Sequence, residues 1–191
     1  MKYEIETNEK WCMLNALVGI ILDNVKGCLI EIGTSYGDVV RDKRKSTTIM
    51  GDHAELQNIN FYTCDIRKNV VIDYAGHTHF AMSSLAFIEG FDKYVWEVPA
   101  AVLLDGCHDY DTVIQEIIFF FEKLVVGGVI FLHDTMPKLE KNLRRGSCSN
   151  SYLVRQEVEG WTNADCFTWP YTAGNVGLTM LLKREENEIR N

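Results

Sequence analysis

Two stretches decide the fold: Ala101-Val102-Leu103-Leu104-Asp105-Gly106-Cys107-His108-Asp109-Tyr110 and Gly127-Gly128-Val129-Ile130-Phe131-Leu132-His133-Asp134-Thr135. Each is a short apolar run that stops at acidic and histidine residues. A continuous apolar run of this length reads as a strand buried on both faces, the habit of parallel sheets. Between them, Val113, Ile114, Ile117, Ile118, Phe120, Phe121 and Leu124 recur at helical spacing over residues 111 to 124. Strand, helix and strand in that order make a crossover unit, so both polar termini fall on one edge of the sheet. Potential metal ligands are thereby delivered to a single place.

The same alternation extends in both directions. Trp11, Leu14, Leu17, Val18, Ile21, Leu22 and Val25 form one stripe of a helix over 8 to 25, and Gly27 ends it. Cys28 to Ile32 reads as a buried strand, with Gly33 to Gly37 as the turn that leaves it. Ser46 is the expected N-cap of a helix running towards Gln57. A strand over 59 to 64 closes on Asp65. A helix around 69 to 74, a strand over 78 to 82 and a helix over 84 to 91 follow. After residue 151 the pattern changes: a helix over 152 to 159 precedes two strands, 166 to 169 and 176 to 183, joined by a turn. The prediction is an α/β three-layer sandwich, an open and mostly parallel sheet finished by an antiparallel hairpin.

At 191 residues the chain suits one domain, 1 to 191, with residues 1 to 27 as an N-terminal helical extension. That helix packs either on its own core or on a second subunit, so a homo-oligomer is open. No apolar run reaches membrane-spanning length and the N-terminus lacks the order of a secretory signal, which predicts a cytoplasmic protein without a membrane partner. A net charge of −8 argues against a general nucleic-acid binder. Six scattered cysteines without a C-x-x-C pair are expected as reduced thiols.

Glu31-Ile32-Gly33-Thr34-Ser35-Tyr36-Gly37 has the form E-x-G-x-x-x-G directly after a strand, where glycines let the backbone approach a ligand. The dinucleotide fingerprint G-x-G-x-x-G is absent. Asp65, at the end of the next strand, suits the two hydroxyls of a ribose. With the Gly127-Gly128 step and the closing hairpin, these residues resemble the class I S-adenosylmethionine-dependent methyltransferases, over about residues 8 to 184. Leu104-Asp105-Gly106-Cys107-His108-Asp109-Tyr110 and Gly127 to Asp134 resemble a subfamily with I-D-G-x-H-x-Y and G-G-x-I-x-x-H-D motifs, which includes sugar and small-molecule O-methyltransferases.

That resemblance implies a Rossmann-like seven-stranded sheet of order 3-2-1-4-5-7-6. It implies S-adenosylmethionine as cofactor, with Glu31, Gly33, Thr34, Ser35, Gly37, Asp65, Ser83 and Asp105 around it. It also implies a divalent ion, Mg²⁺ or Mn²⁺, at Asp105 and Asp134 with His133 adjacent. An alcohol is a poor nucleophile until a metal or a base acts on its proton, and His108 is the base candidate. The implied reaction is methylation of a small hydroxylated acceptor. Two alternatives share the scaffold: an enzyme related to small-metabolite hydroxylation, and a catalytically silent binding module.

Several features have a plainer reading beside the functional one. Strand-end aspartates cap helices and turns, His108 can serve its loop alone, and Cys107 lacks an evident activating base. His77 and His79 share one face of a strand but have no obvious third ligand. Two basic clusters, Arg41, Lys43, Arg44 and Lys45, and Lys138, Lys141, Arg144 and Arg145, read either as solvated loops or as lids over an anionic acceptor. The first belongs to residues 38 to 50, a charged loop inserted where the resembled family turns almost at once into its first helix.

Overall fold

The computed structural model describes residues 2–34, 45–68, 72–136, 150–170 and 177–185, with the backbone alone for 2–12. Elements alternate in the order α1 (Lys2–Asn24), β1 (Cys28–Ile32), α2 (Ser46–Gln57), β2 (Phe61–Asp65), β3 (His77–Ala81), α3 (Ser84–Glu89), α4 (Phe91–Tyr94), β4 (Pro99–Leu104), α5 (Tyr110–Lys123), β5 (Val129–His133), α6 (Ser151–Val158), β6 (Ala164–Trp169) and β7 (Leu178–Lys183). One seven-stranded sheet runs β3-β2-β1-β4-β5-β7-β6. β1 through β5 pair in parallel, and β7 is antiparallel to both β5 and β6. This is the predicted order.

The central strands β1 and β4 are buried at every position because helices cover both faces. Alternate residues divide two cores. Ile30, Ile32, Val102, Leu104, Ile130 and Leu132 meet Phe87, Ile117 and Phe120 on one face. Leu29, Ala101, Leu103, Val129 and Phe131 meet Leu14, Val18, Leu22 and Met50 on the other. The α1 stripe therefore packs on the chain's own sheet and on α2.

The carboxyl ends of α2 and α5 show how helix termini are satisfied. Asn58 adopts a left-handed conformation, φ 53°, and its N–H closes back on the last turn of α2. Lys183, at the end of β7, donates to the carbonyls of Phe121, Glu122 and Leu124, capping α5 with a cation where the helix dipole favours one.

Four local expectations change. The α2 helix begins at Ser46, so residues 46 to 50 are helix and not inserted loop; residues 38 to 44 lie outside the described residues. Ser46 is not the cap: Lys45 holds that position without a side-chain bond, because the Ser46 hydroxyl is engaged elsewhere. The helix foreseen over 69 to 74 is not found at 72 to 74, where Ile72 makes a single bridge and Tyr74 turns in to bond Asp52. The helix over 84 to 91 breaks at Gly90, where the Tyr94 ring packs so closely that a Cβ would collide with it.

Candidate functional site

A cavity of about 960 Å³ opens at the carboxyl ends of β1, β2, β3 and β4, the edge where open α/β sheets place ligands. Gly33, Thr34, Asp65, Ser83, Asp105 and His108 all line it, with Lys45, Arg67, Ser84 and Thr112. Ser35 and Gly37 lie outside the described residues, as do Arg41, Lys43, Arg44 and the 138 to 145 cluster.

Gly33 is required by geometry. Its φ is +89°, and a Cβ there would strike the backbone of Asp105 and Gly106. The close approach arises because Gly33 N–H donates to Cys64 O at 2.9 Å while Asp105 N–H donates to Ile32 O at 2.8 Å. Three strand ends are thus tied at one point.

Glu31 stands behind this turn, fully buried. Ser46 Oγ donates to its Oε1 at 2.6 Å, joining α2 to β1. Burial pushes the Glu31 carboxyl up to about 7; bonds from Ser46 and Thr47 oppose that rise, Asp65 adds to it and Arg67 lowers it. Glu31 shapes the turn from beneath and does not line the cavity.

Asp65 is held by its own chain. Its Oδ1 accepts from Arg67 N–H at 2.9 Å and Arg67 Nε at 2.8 Å, and its Oδ2 accepts from Arg67 Nη2 at 2.6 Å and Thr34 N–H at 3.1 Å. Arg67 Nη2 also donates to the Thr34 carbonyl. Burial alone would raise the Asp65 carboxyl, but the Arg67 bonds and charge together with Thr34 hold it below the ordinary carboxylate range. Arg67 was not singled out from sequence. Its signal was the acid-x-Arg spacing, which lets a side chain fold back on a carboxylate two residues away.

Asp105 and His108 on the cavity wall belong to an acid and histidine cluster completed behind it by His133 and Asp134, which do not line the cavity. One ligand atom each from Asp105, His108 and Asp134 lie within 4.8 Å of one another. His108 Nε2 is 3.3 Å from Asp134 Oδ2. His133 Nδ1 lies 2.6 Å from Asp105 Oδ1 and 3.1 Å from Asp134 Oδ1, bridging the two carboxylates. Asp134 has φ 60°, a left-handed conformation that Asp tolerates better than most residues. The backbone reverses there because Asp134 N–H donates to Gly177 O, across the β5–β7 pair. Two carboxylates and an imidazole are a donor set compatible with Mg²⁺ or Mn²⁺.

Ser83 is the N-cap of α3, its Oγ accepting from Ala86 N–H at 3.2 Å. Cys107 is exposed on the cavity rim, and Cys28, Cys64, Cys107 and Cys166 are all free thiols. His77 and His79 both bond the Thr63 hydroxyl at 2.9 Å, and His79 also meets the Arg67 carbonyl. Burial, with His79 adding to it, drives His77 down to about 4. The pair serves the sheet edge.

No protein-family model matches the sequence, and no curated protein is detectably similar to it. Solved structures do match in fold. Cofactor-bound Rv0187 from MTB superposes with a TM-score of 0.65 at 15% identity, over 93% of this chain and 80% of that one. The O-methyltransferase TomG from Streptomyces achromogenes, involved in tomaymycin synthesis and solved with S-adenosylmethionine, gives 0.65 at 11%, over 93% and 80%. The MycE methyltransferase of the mycinamycin pathway, solved with Mg and S-adenosylhomocysteine, gives 0.63 at 13%, over 91% of this chain. The chain spans about half the length of MycE, 49%. The architecture is the Rossmann-like methyltransferase fold.

Proposed function

We propose that the protein is an S-adenosylmethionine-dependent methyltransferase acting on a hydroxyl of a small acceptor, assisted by a divalent cation. The observation that carries this is the meeting, on one cavity, of the Gly33 turn, the Asp65 carboxylate, Asp105 and His108, the last two grouped with the buried Asp134 just behind the wall. Structural neighbours crystallised with S-adenosylmethionine or S-adenosylhomocysteine support the same reading.

The residues fit the two groups. A volume of about 960 Å³ accommodates a nucleoside-sized donor with room for an acceptor. Gly33 lets β1 and β4 close up beneath the cavity where the donor would lie, and Asp65 would hold the ribose hydroxyls once Arg67 yields part of its grip. Asp105 and Asp134 would hold the cation, with His133 keeping both carboxylates oriented. A bound cation supplies charge that lowers the pKa of an acceptor hydroxyl.

His108 would receive the acceptor proton, and a bound donor would supply the methyl group to the oxygen, its sulfonium becoming a neutral thioether. Asp134, 3.3 Å away, orients the imidazole and stabilises it once protonated. Much of the remaining work is placement of two reactants in line. The grouping of His108 with both carboxylates favours a second use of the same ring, as the nitrogen ligand of the cation. Lys45 on the cavity wall supports an anionic acceptor.

Calorimetric titration of S-adenosylmethionine and S-adenosylhomocysteine, with and without Mg²⁺, tests the reading. Binding that is lost in Asp65→Ala is expected. Absence of binding under both conditions overturns it. Binding without turnover across a panel of hydroxylated acceptors would favour a binding module instead.

A further inference from the structure

Arg155, on α6, is a cation short of oxygen partners among the described residues. Its side chain is only 17% exposed, and its Nε is buried without a hydrogen bond. Nη1 donates to Met136 Sδ at 3.6 Å, and the exposed Glu159 carboxylate stands 3.6 Å from Nε, too far to accept in ordinary geometry. A thioether sulfur is a weak acceptor, so most of the guanidinium's donor capacity is unused. One turn earlier on the same face, the Ser151 hydroxyl is buried and also has no partner. Asn150, the N-cap of α6, gives its first turn no side-chain bond.

These groups gather beside the reacting cluster. Asn150 N–H donates to His108 O at 3.0 Å, which seats the head of α6 on the loop that carries His108. Met136 follows Asp134 by two residues and packs on Gly177, whose carbonyl receives the Asp134 N–H. Helical side chains lean towards the helix N-terminus, so Arg155 leans towards Ser151 and the carboxyl edge of β5. Neither Ser151 nor Arg155 lines the cavity of about 960 Å³. They stand on the α6 side of the Asp105–His108–Asp134 cluster, away from Gly33 and Asp65.

We infer that Arg155 and Ser151, at the head of α6, form an oxyanion subsite for the acceptor, which is therefore a hydroxylated compound carrying a carboxylate or phosphate. A guanidinium fork meets either group two oxygens at a time, and a helix N-terminus adds amides and a favourable dipole. The anion takes the place of Met136 Sδ at Arg155 and gives the Ser151 hydroxyl its missing acceptor. Asp105, Asp134 and Glu159 are the nearby carboxylates that oppose an anion. Arg155 draws it to the α6 side, which leaves the acceptor hydroxyl free to face His108.

That the anion belongs to an acceptor rests on the methyl-donor reading; the subsite itself does not. Inorganic phosphate and acetate are titrated calorimetrically into the full chain at constant ionic strength and without metal, alone and after saturation with S-adenosylhomocysteine. At least one anion is expected to bind, equally well in both states, and the tighter one names the acceptor's group. Arg155→Gln should weaken it about tenfold or more, the scale of hydrogen bonds to a charged group, and Arg155→Lys should restore part of the loss. In wild type the same anion should slow phenylglyoxal modification of Arg155, mapped by peptide mass, which locates the site without any variant. The inference is overturned if neither anion binds, if the anion competes with S-adenosylhomocysteine, or if Arg155 is left unprotected. An anion affinity untouched in a folded Arg155→Gln overturns it equally. Failure of S-adenosylhomocysteine to bind while the anion site persists overturns the methyl-donor reading and leaves the subsite standing.

Discussion

Arg67 folds back over Asp65 and occupies both of its carboxylate oxygens, two residues away in the chain, while also holding the Thr34 carbonyl. The group best placed for a ribose is already bonded. Arg67 is partly exposed, whereas Asp65 is nearly buried, so the guanidinium can move outward at modest cost. Arg67→Ala is expected to tighten S-adenosylhomocysteine binding several-fold by calorimetry. Binding weakened more than threefold would show instead that Arg67 belongs to the ligand site.

The two uses of His108 make opposite demands. As a base, His108→Gln should lower kcat by about 10²-fold or more while Mg²⁺ affinity stays unchanged. As a ligand, it should lose Mg²⁺ affinity and leave turnover recoverable at high Mg²⁺. Asp134→Asn should abolish Mg²⁺-dependent turnover in either case, and wild-type turnover that resists chelation would remove the cation from the reaction.

Glu31 and Glu116 both sit at about 7 against an ordinary 4.5, so the folded chain binds more protons than the unfolded chain between those values. Their contribution to stability is complete below pH 4.5 and is lost as pH rises through 7. Asp65 works in the opposite sense, its contribution disappearing as pH falls below the usual carboxylate range. Denaturant unfolding should show stability declining from pH 5 to pH 8 by roughly 2 kcal/mol per buried glutamate, an order-of-magnitude figure. Glu31→Gln should flatten the slope by one group's share.

Lys183 links β7 to the end of α5 through three carbonyls and lies 5.5 Å from the Phe121 ring centre. Lys183→Met keeps the aliphatic stem and removes the charge. A loss of about 1–2 kcal/mol is expected, seen as a fall of about 3–6 °C in Tm for a chain of this size. An unchanged Tm would mean that water replaces the ammonium without loss.

The sheet was legible because its information is local. Apolar runs at β1, β4 and β5, the α5 period and the late change to a hairpin prescribe a mostly parallel sheet with an antiparallel end; its strand order is what the family resemblance implied. Asp105 and Asp134 on one edge follow from the same register. Departures arose where a contact from a distant element outweighed local preference. Ser46 does not cap α2 because the buried Glu31 takes its hydroxyl. Residues 72 to 74 are not helical, and Tyr74 instead packs against Gly51 and bonds Asp52 on α2.

By itself, then, the sequence determined the α/β layering, the closing hairpin and which residues end the strands, since periodicity and strand length act over neighbours in the chain, while the strand order came from the family resemblance. Tertiary structure alone decided how those ends are used. It closed Arg67 on Asp65 and placed His133 between two carboxylates. Hydrogen bonds and ion pairs depend on distances of a few ångströms between segments far apart in sequence, and only the packed sheet establishes those distances.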